Sequence, residues 1–522
     1  MNKFYVTTAI DYVNAAPHIG HAYEKIAADV IARYYRMRGY DVRFLTGVDE
    51  HGIKIQRSAE AAGKTPQAFC DEISEMFKES WSNLNLCFDR FIRTTEPAHE
   101  KVVQSLFRQL RDQGDIYKST YSALYCEGCE DFVRDRDLDE NGNCHNHLKP
   151  PKQVAEENYF FKLSKYKPQI QAWLEANPTA VQPDGRRKEV LNQLNDPELG
   201  DFSVSRSKKS LTWGIPVPDD NDQVIYVWMD ALSNYITGCG YLTDDEQFKQ
   251  YWPCDLHLIG KDITKFHSIY WIAFLLAANI PLPKQIFAHG FITVEGQKIS
   301  KSLGNVIDPN KLVEQYGADA VRFYLFSRTP MDQDGDFSRA EFISTCNAAL
   351  ANGIGNLLSR TLKLIETNCD SKLPDAKPEN QLRENANELS VVYNAHMVKL
   401  EYAKAIDSIL ALVDLTNKYF ADEKPWSMFK EGKVKEGQEV LYTSVEMLRR
   451  MAFQIYPFAP KLASDLWWQL GHEDELEIFG DSDRPDGFFD MIPAGQHVRN
   501  AGPIFKRIEE PIEDSNPKKI RT

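Results

Sequence analysis

The sequence predicts an α/β fold: a Rossmann-like parallel-sheet domain, split by an insertion and followed by an α-helical bundle. Three observations predict it. Strand-like and helix-like segments alternate over residues 1–115 and again over 226–320, the rhythm of βαβ units. The stretch between them, 116–225, replaces that rhythm with a cysteine cluster, many charges and proline joints at Pro150-Pro151 and Pro216/Pro218. Beyond about residue 340 strands give way to long amphipathic patterns.

Each element follows from local chemistry. Phe4–Ile10 is rich in Val, Thr and aromatics and reads as a strand. Asn14 to Pro17 form a loop. From His21 to about Arg38, Ala22, Ile26, Val30 and Tyr34 return at helical spacing and predict one apolar face. Val42–Thr46 is the next strand. Alternation resumes with strands at Val224–Val227, Leu256–Ile259 and Ile286–Thr293. The insertion therefore divides two halves of one nucleotide fold. Ser338–Ile365, Asn385–Phe420 and Glu436–Leu470 read as helices of a bundle spanning 346–495, with a tail at 496–522.

The chain of 522 residues is long enough for several domains. A hydrophobic content of 43% and a charged content of 26% are those of a soluble globular protein. The first strand starts too early to leave room for a secretory leader. The longest apolar run, Tyr270–Ala278, is too short to cross a bilayer. The cytoplasm is the expected compartment. A net charge of −15 argues against a sequence-indifferent nucleic-acid binder but allows local basic surfaces. Candidates are Arg206, Lys208 and Lys209, and Lys506, Arg507, Lys518, Lys519 and Arg521 in the tail; solvated surface charge is the simpler reading of the lysines.

Two motifs carry chemistry. His18-Ile19-Gly20-His21 follows a strand and a loop and opens a helix. That is a natural phosphate site, because free N–H groups and the helix dipole favour an anion. Gly20 lets an adenine approach the backbone. Lys298-Ile299-Ser300-Lys301-Ser302 follows a β-like run and a glycine turn, in a polar loop suited to close over a triphosphate. Attack on an α-phosphate builds charge on phosphate oxygens, and imidazoles on one side with ammonium groups on the other stabilise it. Either motif alone has a plain alternative, a histidine-capped helix or a solvated basic loop.

Cys126-x-x-Cys129 and Cys144-x-x-His147 bracket the turn Asp139-Glu140-Asn141-Gly142-Asn143. The spacing predicts one structural Cys₃His zinc site with no open position, His145 being the rival fourth ligand.

The paired His and Lys motifs resemble the signatures of class I aminoacyl-tRNA synthetases. Further segments narrow the resemblance: Ala9-Ile10-Asp11-Tyr12, Thr46-Gly47-Val48-Asp49-Glu50-His51-Gly52, Ser205-Arg206, Trp213-Gly214-Ile215-Pro216-Val217-Pro218, Val227-Trp228-Met229-Asp230-Ala231 and Ile259-Gly260-Lys261-Asp262-Ile263. Over essentially its whole length the chain is similar to the methionyl-tRNA synthetases, in the bacterial form with a single zinc knuckle and no C-terminal dimerisation domain. The resemblance implies ATP-dependent formation of methionyl-adenylate and transfer to the 3′ end of tRNA(Met). It gives His18, His21, Lys298 and Lys301 catalytic roles, with Gly20 also at the ATP and magnesium accompanying the nucleotide. It implies a methionine pocket of Ala9, Ile10, Tyr12, Asp49, Trp228, Leu232, Tyr235, Ile263 and His267.

Physical sense supports that pocket. A polarizable thioether packs well on aromatic walls. Asp49 can pair with the α-ammonium group. Tyr12 and His267 are expected to offer weak polar contacts to sulfur. Relatives for branched amino acids need a large editing domain, because one methylene discriminates only roughly 10- to 200-fold. The insertion at 116–225 is too small for one. The resemblance also implies a stem-contact segment at 321–345 and anticodon-reading residues Asn352, Asn356, Arg360 and Trp426. The first three lie at i, i+4 and i+8, one face of an α-helix. Amides and a guanidinium can bond unstacked base edges, and Trp426 offers a stacking plane. A monomer is expected. The rival enzyme is another class I synthetase, such as the cysteinyl one, which would place zinc in the substrate pocket. The rival from another class is a non-catalytic tRNA-binding protein.

Overall fold

The computed structural model describes residues 2–128, 131–133, 138–145, 148–299, 304–376, 380–476 and 492–509. It divides into two compact units, Met1–Tyr35 with Tyr40–Phe291, and Arg36–Gly39 with Ile292–Thr522.

The first unit is built on a seven-stranded sheet in which every pairing is parallel: β1 (Lys3–Thr8), β2 (Asp11–Tyr12), β3 (Asp41–Asp49), β4 (Arg90–Arg93), β5 (Val181–Gln182), β6 (Leu256–Gly260) and β7 (Ile286–His289). The order runs β2-β3-β1-β6-β7-β5, with β4 also paired to β3. The central strands β1 and β6 are buried almost throughout, as strands covered on both faces must be. The two halves of the nucleotide fold do close into one sheet. The short edge strand Val181–Gln182, inside the stretch read as an insertion, returns to this sheet and pairs with β7. Two residues are too few for a periodicity signal. The rest of that stretch includes an antiparallel sheet of Asp131–Val133, Ile116–Cys126, Lys152–Phe161 and Phe202–Ser203.

Helix α1 (Ile19–Arg36) departs from the expected single apolar face: Glu24, Lys25, Asp29 and Arg33 are buried too. Their charges are satisfied inside the protein. Arg33 Nε donates to Asp29 Oδ2 at 2.8 Å, and Nη2 donates to the Asn85 carbonyl at 2.8 Å. Arg206, read as a candidate for a basic surface, is also buried. Its guanidinium donates to Ser203 Oγ and the Ser205 carbonyl and lies over the Tyr226 ring at 4.3 Å.

The second unit begins with a hairpin, Ile292–Val294 and Gln297–Lys298, turned by Glu295 and Gly296, both at positive φ. Two such residues give the twist that a tight hairpin needs. Ile292–Val294 also pairs in parallel with Gly335–Phe337. Helices then dominate, but they are shorter than the amphipathic patterns. Asn385–Phe420 resolves into Gln381–Val398 and Tyr402–Glu423, separated where Leu400 takes a left-handed turn. Glu436–Leu470 resolves into Val434–Ile455 and Pro460–Gln469, because Pro460 cannot continue a helix yet suits the start of one. Leu357, Leu362, Ile406, Leu412, Leu441 and Leu448 are among the residues that fill the bundle core.

Candidate functional site

Open parallel sheets bind ligands beyond the carboxyl ends of their strands. In the first unit the candidate residues gather there: Ala9 and Ile10 after β1, Tyr12 on β2, Asp49 at the end of β3, and Ile263 just beyond β6.

On the α1 side, the two histidines cap the helix reciprocally. The Gly20 N–H donates to His18 Nδ1 at 3.1 Å, and the His18 N–H donates to His21 Nδ1 at 3.2 Å. This is a capping box made of imidazoles, with the rings stacked 3.8 Å apart. Capping and chemistry, alternatives in the sequence, use different atoms: each Nδ1 accepts, which leaves the ring proton on Nε2. Burial, reinforced by His18 and Lys25, holds the His21 pKa well below the usual histidine range. His21 is therefore a neutral N–H donor at neutral pH.

Beneath the cap lies a buried charge cluster that sequence reasoning missed. Lys25 Nζ donates to Asp11 Oδ1 at 2.7 Å, to Glu24 Oε1 at 3.0 Å and to the Ala9 carbonyl at 3.0 Å. Glu24 Oε2 meets His289 Nε2 at 3.0 Å, at the end of β7. Burial disfavours the ammonium, but Asp11 and Glu24 together raise the Lys25 pKa. Burial pushes Asp11 up to about 7, against the pull of Lys25. For Glu24, Lys25 and His289 overcome burial and the pKa falls. The ammonium thus fixes the Ala9–Tyr12 segment against α1. The signal available in the sequence was a pair of adjacent charges, Glu24-Lys25, one turn past a phosphate motif.

On the opposite side, helix α2 (Val227–Leu232) supplies Trp228 and Leu232. Leu232 and Tyr235 are buried in the large hydrophobic core of this unit, and Ala9, Ile10, Trp228 and Ile263 pack half-buried against that core. Trp228 stacks on Phe266, centroids 3.9 Å apart and planes 5° apart, and meets His267 edge-on. Phe266 and His267 lie on a π-helical turn, Phe266–Trp271, a distortion frequent at functional sites. His267 Nδ1 donates to the Ile263 carbonyl at 3.0 Å, so Nε2 accepts from the Tyr235 hydroxyl at 2.7 Å. Burial holds the His267 pKa down at about 4. The Tyr12 hydroxyl donates to the His51 carbonyl at 2.8 Å. The Tyr12 hydroxyl and both His267 ring nitrogens, the groups expected to meet sulfur, thus also hydrogen-bond within the protein.

The second motif is described only in part. Lys298 lies in the hairpin, its backbone paired with Thr293, whereas Ser300, Lys301 and Ser302 lie outside the described residues. In the cysteine cluster, Cys129 and His147 lie outside them too. Cys126 and Cys144 are both buried, packed in one small cluster with Val133. The Asp139 carboxylate accepts the Asn141 and Asn143 N–H groups and shapes the turn between. Two buried soft donors converging on a tight turn fit a zinc knuckle. His145 is exposed.

In the second unit, Asn352 and Asn356 are exposed, and Arg360 lies 4.8 Å over Phe420 and 5.6 Å over Trp426. The i, i+4, i+8 face is not that of a straight α-helix. Asn347–Gly355 is π-helical and the α-helix starts at Asn356, so Asn352 is turned relative to the other two. Lys424, in the left-handed region, ends one helix and lets Pro425 open the next, which sets Trp426 beside Phe420.

Known proteins share this arrangement. Residues 4–362 match the family model for class I (M) tRNA synthetases, and 373–519 match that for the anticodon-binding domain of methionyl-tRNA ligase. The chain is 43% identical over 521 residues to a methionine–tRNA ligase of Thermosynechococcus vestitus, covering 97% of each. It is 43% identical over 519 residues to that of Thermotoga maritima, covering 97% of this chain and 80% of the relative. Among solved structures, the Mycobacterium tuberculosis methionyl-tRNA synthetase in complex with methionyl-adenylate superposes with a TM-score of 0.92 at 39% identity, covering 97% of this chain and 100% of that one.

Proposed function

The chain belongs to the class I methionyl-tRNA synthetases and is a methionine–tRNA ligase, and from that premise we propose how its own residues divide the reaction. L-Methionine enters with its thioether on Trp228, between Ala9, Ile10, Leu232, Tyr235, Ile263 and His267. Its α-ammonium group pairs with Asp49, beside Tyr12. ATP lies along the N-terminus of α1 with its adenine near Gly20. The methionine carboxylate attacks the α-phosphate and pyrophosphate leaves. His18 and His21 donate Nε2–H to phosphate oxygens as charge develops, and Lys298 and Lys301 hold the departing pyrophosphate. A hydroxyl of the 3′-terminal adenosine of tRNA(Met) then attacks the acyl carbon of the methionyl-adenylate, the acyl–phosphate bond breaks and AMP leaves; the CAU anticodon of that tRNA meets Asn352, Asn356, Arg360 and Trp426. Magnesium arrives with ATP.

Cys126, Cys129, Cys144 and His147 would hold one structural zinc ion, which would brace the insertion. The catalytic domain takes in 1–115 and 226–320, the connective insertion 116–225, a stem-contact segment 321–345, and the anticodon domain 346–495. The enzyme works as a monomer in the cytoplasm. The observation that carries this reading is the reciprocal imidazole cap, which places neutral Nε2–H donors at a helix N-terminus behind a parallel strand.

ATP–pyrophosphate exchange over a panel of amino acids tests it. Methionine alone should support full exchange. Lys301→Ala should lower the rate by about 10²- to 10³-fold, the usual cost of one transition-state charge contact. An unchanged rate in that variant, or better exchange with another amino acid, would overturn the assignment.

A further inference from the structure

The segment Asp49-Glu50-His51 at the end of β3 sends its side chains in different directions, and each is tied down separately. Glu50 Oε1 accepts from Ser74 Oγ at 2.5 Å and from Arg93 Nε at 2.8 Å. His51 has 4% of its surface exposed, and its Nδ1 donates to Asp230 Oδ2 at 2.7 Å. Asp230 lies on α2, two residues past Trp228, and its other oxygen meets His99 Nε2 at 2.8 Å. Burial opposes charge on His51, but the Asp230 carboxylate outweighs it and raises the imidazole pKa. For the same reason the Asp230 pKa falls, despite its burial.

The His51 backbone serves the pocket directly. Its carbonyl takes the Tyr12 hydroxyl at 2.8 Å, and its N–H approaches Asp49 Oδ1 at 3.4 Å. Tyr12 and Asp49 are also register partners between β2 and β3. One residue thus links three parts of the pocket: Tyr12 through its carbonyl, Asp49 through its N–H, and the helix that bears Trp228 and Leu232 through its side chain.

We propose that His51, clamped by Asp230, is a positioning residue that sets the distance between the Tyr12–Asp49 wall and the Trp228 wall of the methionine pocket. The proposal rests on the assignment of those four residues to methionine. Without the clamp, the walls lose their fixed spacing and methionine binding weakens. The α1 side, held independently by Lys25, keeps its hold on ATP.

The test is steady-state ATP–pyrophosphate exchange by the full-length enzyme, with KM measured separately for methionine and ATP. His51→Ala should raise the methionine KM about tenfold and leave the ATP KM within twofold. His51→Asn, which places an amide donor near the Nδ1 position, should recover most of the loss, whereas His51→Gln, with its amide further out, should not. That Asn/Gln pair also stands in if His51→Ala does not fold. Combining His51→Ala with Asp230→Ala should be no worse than the more damaging single change. Both KM values rising together, equal behaviour of Asn and Gln, or an unchanged methionine KM in His51→Ala would each overturn the proposal. Asp49→Asn serves as the control: an unchanged methionine KM there would sink the pocket assignment itself, and a large rise would leave the His51 result to be judged alone.

Discussion

The sheet-end site of the first unit and the helical face of the second are built on opposite principles. Around the sheet ends, polar groups are buried against one another: Lys25 between Asp11 and Glu24, His51 and His99 on Asp230. On the helical face, Asn352 and Asn356 are exposed, and Arg360 rests over rings. A small amino acid offers few contacts, so its pocket must be rigid before it arrives. An anticodon offers three bases with many donors and acceptors, and exposed amides can meet them one at a time. On the proposed roles, recognition and stability are therefore entangled in the first region and separable in the second.

The strongest way to break that contrast is to remove Lys25. Lys25→Met leaves Asp11 and Glu24 buried beside each other without their shared counter-charge, a defect that typically costs about 3–5 kcal/mol. Chemical denaturation should show that loss, while Asn356→Ala in the second unit should change stability by less than about 0.5 kcal/mol. Comparable losses in the two variants would erase the distinction.

A finer probe uses pH. Burial raises Asp11 to about 7, above the unfolded value of about 3.9. Between those values the folded state binds more protons, so the Asp11 contribution is full below about pH 4 and is lost as pH rises through about 7. The slope is up to about 1.4 kcal/mol per pH unit. Asp11→Asn removes that slope. Measured from pH 5.5 to 7.5, the stability of the variant relative to the wild type should therefore improve with rising pH. A constant difference would show that Asp11 is ionised throughout.

The smallest effect expected is that of Tyr12→Phe. The hydroxyl bond to the His51 carbonyl is worth about 1 kcal/mol, which predicts a rise of about fivefold in the methionine KM. The ATP KM should not move, and a shift confined to ATP would assign Tyr12 to the wrong half of the site.

Much of this was legible in the sequence, for physical reasons. The parallel sheet announces itself through β-rich runs alternating with helical ones, and the histidine motif sits where a strand, a loop and a helix start coincide. The assignment of Trp228 and Tyr235 to a pocket came from the resemblance, since alone they would pass for core. The buried ion clusters were not legible. Hydrophobic periodicity treats Glu24, Lys25, Asp29 and Arg33 as a solvated face, yet all four are buried. Two of the pairs are local, Glu24 with Lys25 and Asp29 with Arg33, but the partners that complete the clusters, Asp11, Asn85 and His289, lie on other elements, and no local pattern encodes those. The π-helical turns at Asn347–Gly355 and Phe266–Trp271 escaped for a related reason: one extra residue per turn shifts a face without changing composition.

On the proposed assignment the sheet-end site chooses methionine, and the helical face contributes only to tRNA. Trp426→Ala tests it most directly, with exchange and tRNA charging measured on the same preparation. Loss of a stacking plane worth about 1–3 kcal/mol should raise the tRNA KM about 5- to 150-fold. Methionine-dependent ATP–pyrophosphate exchange in the absence of tRNA should stay at the wild-type rate. A parallel fall in exchange would contradict the account, because it would tie the choice of methionine to the helical face.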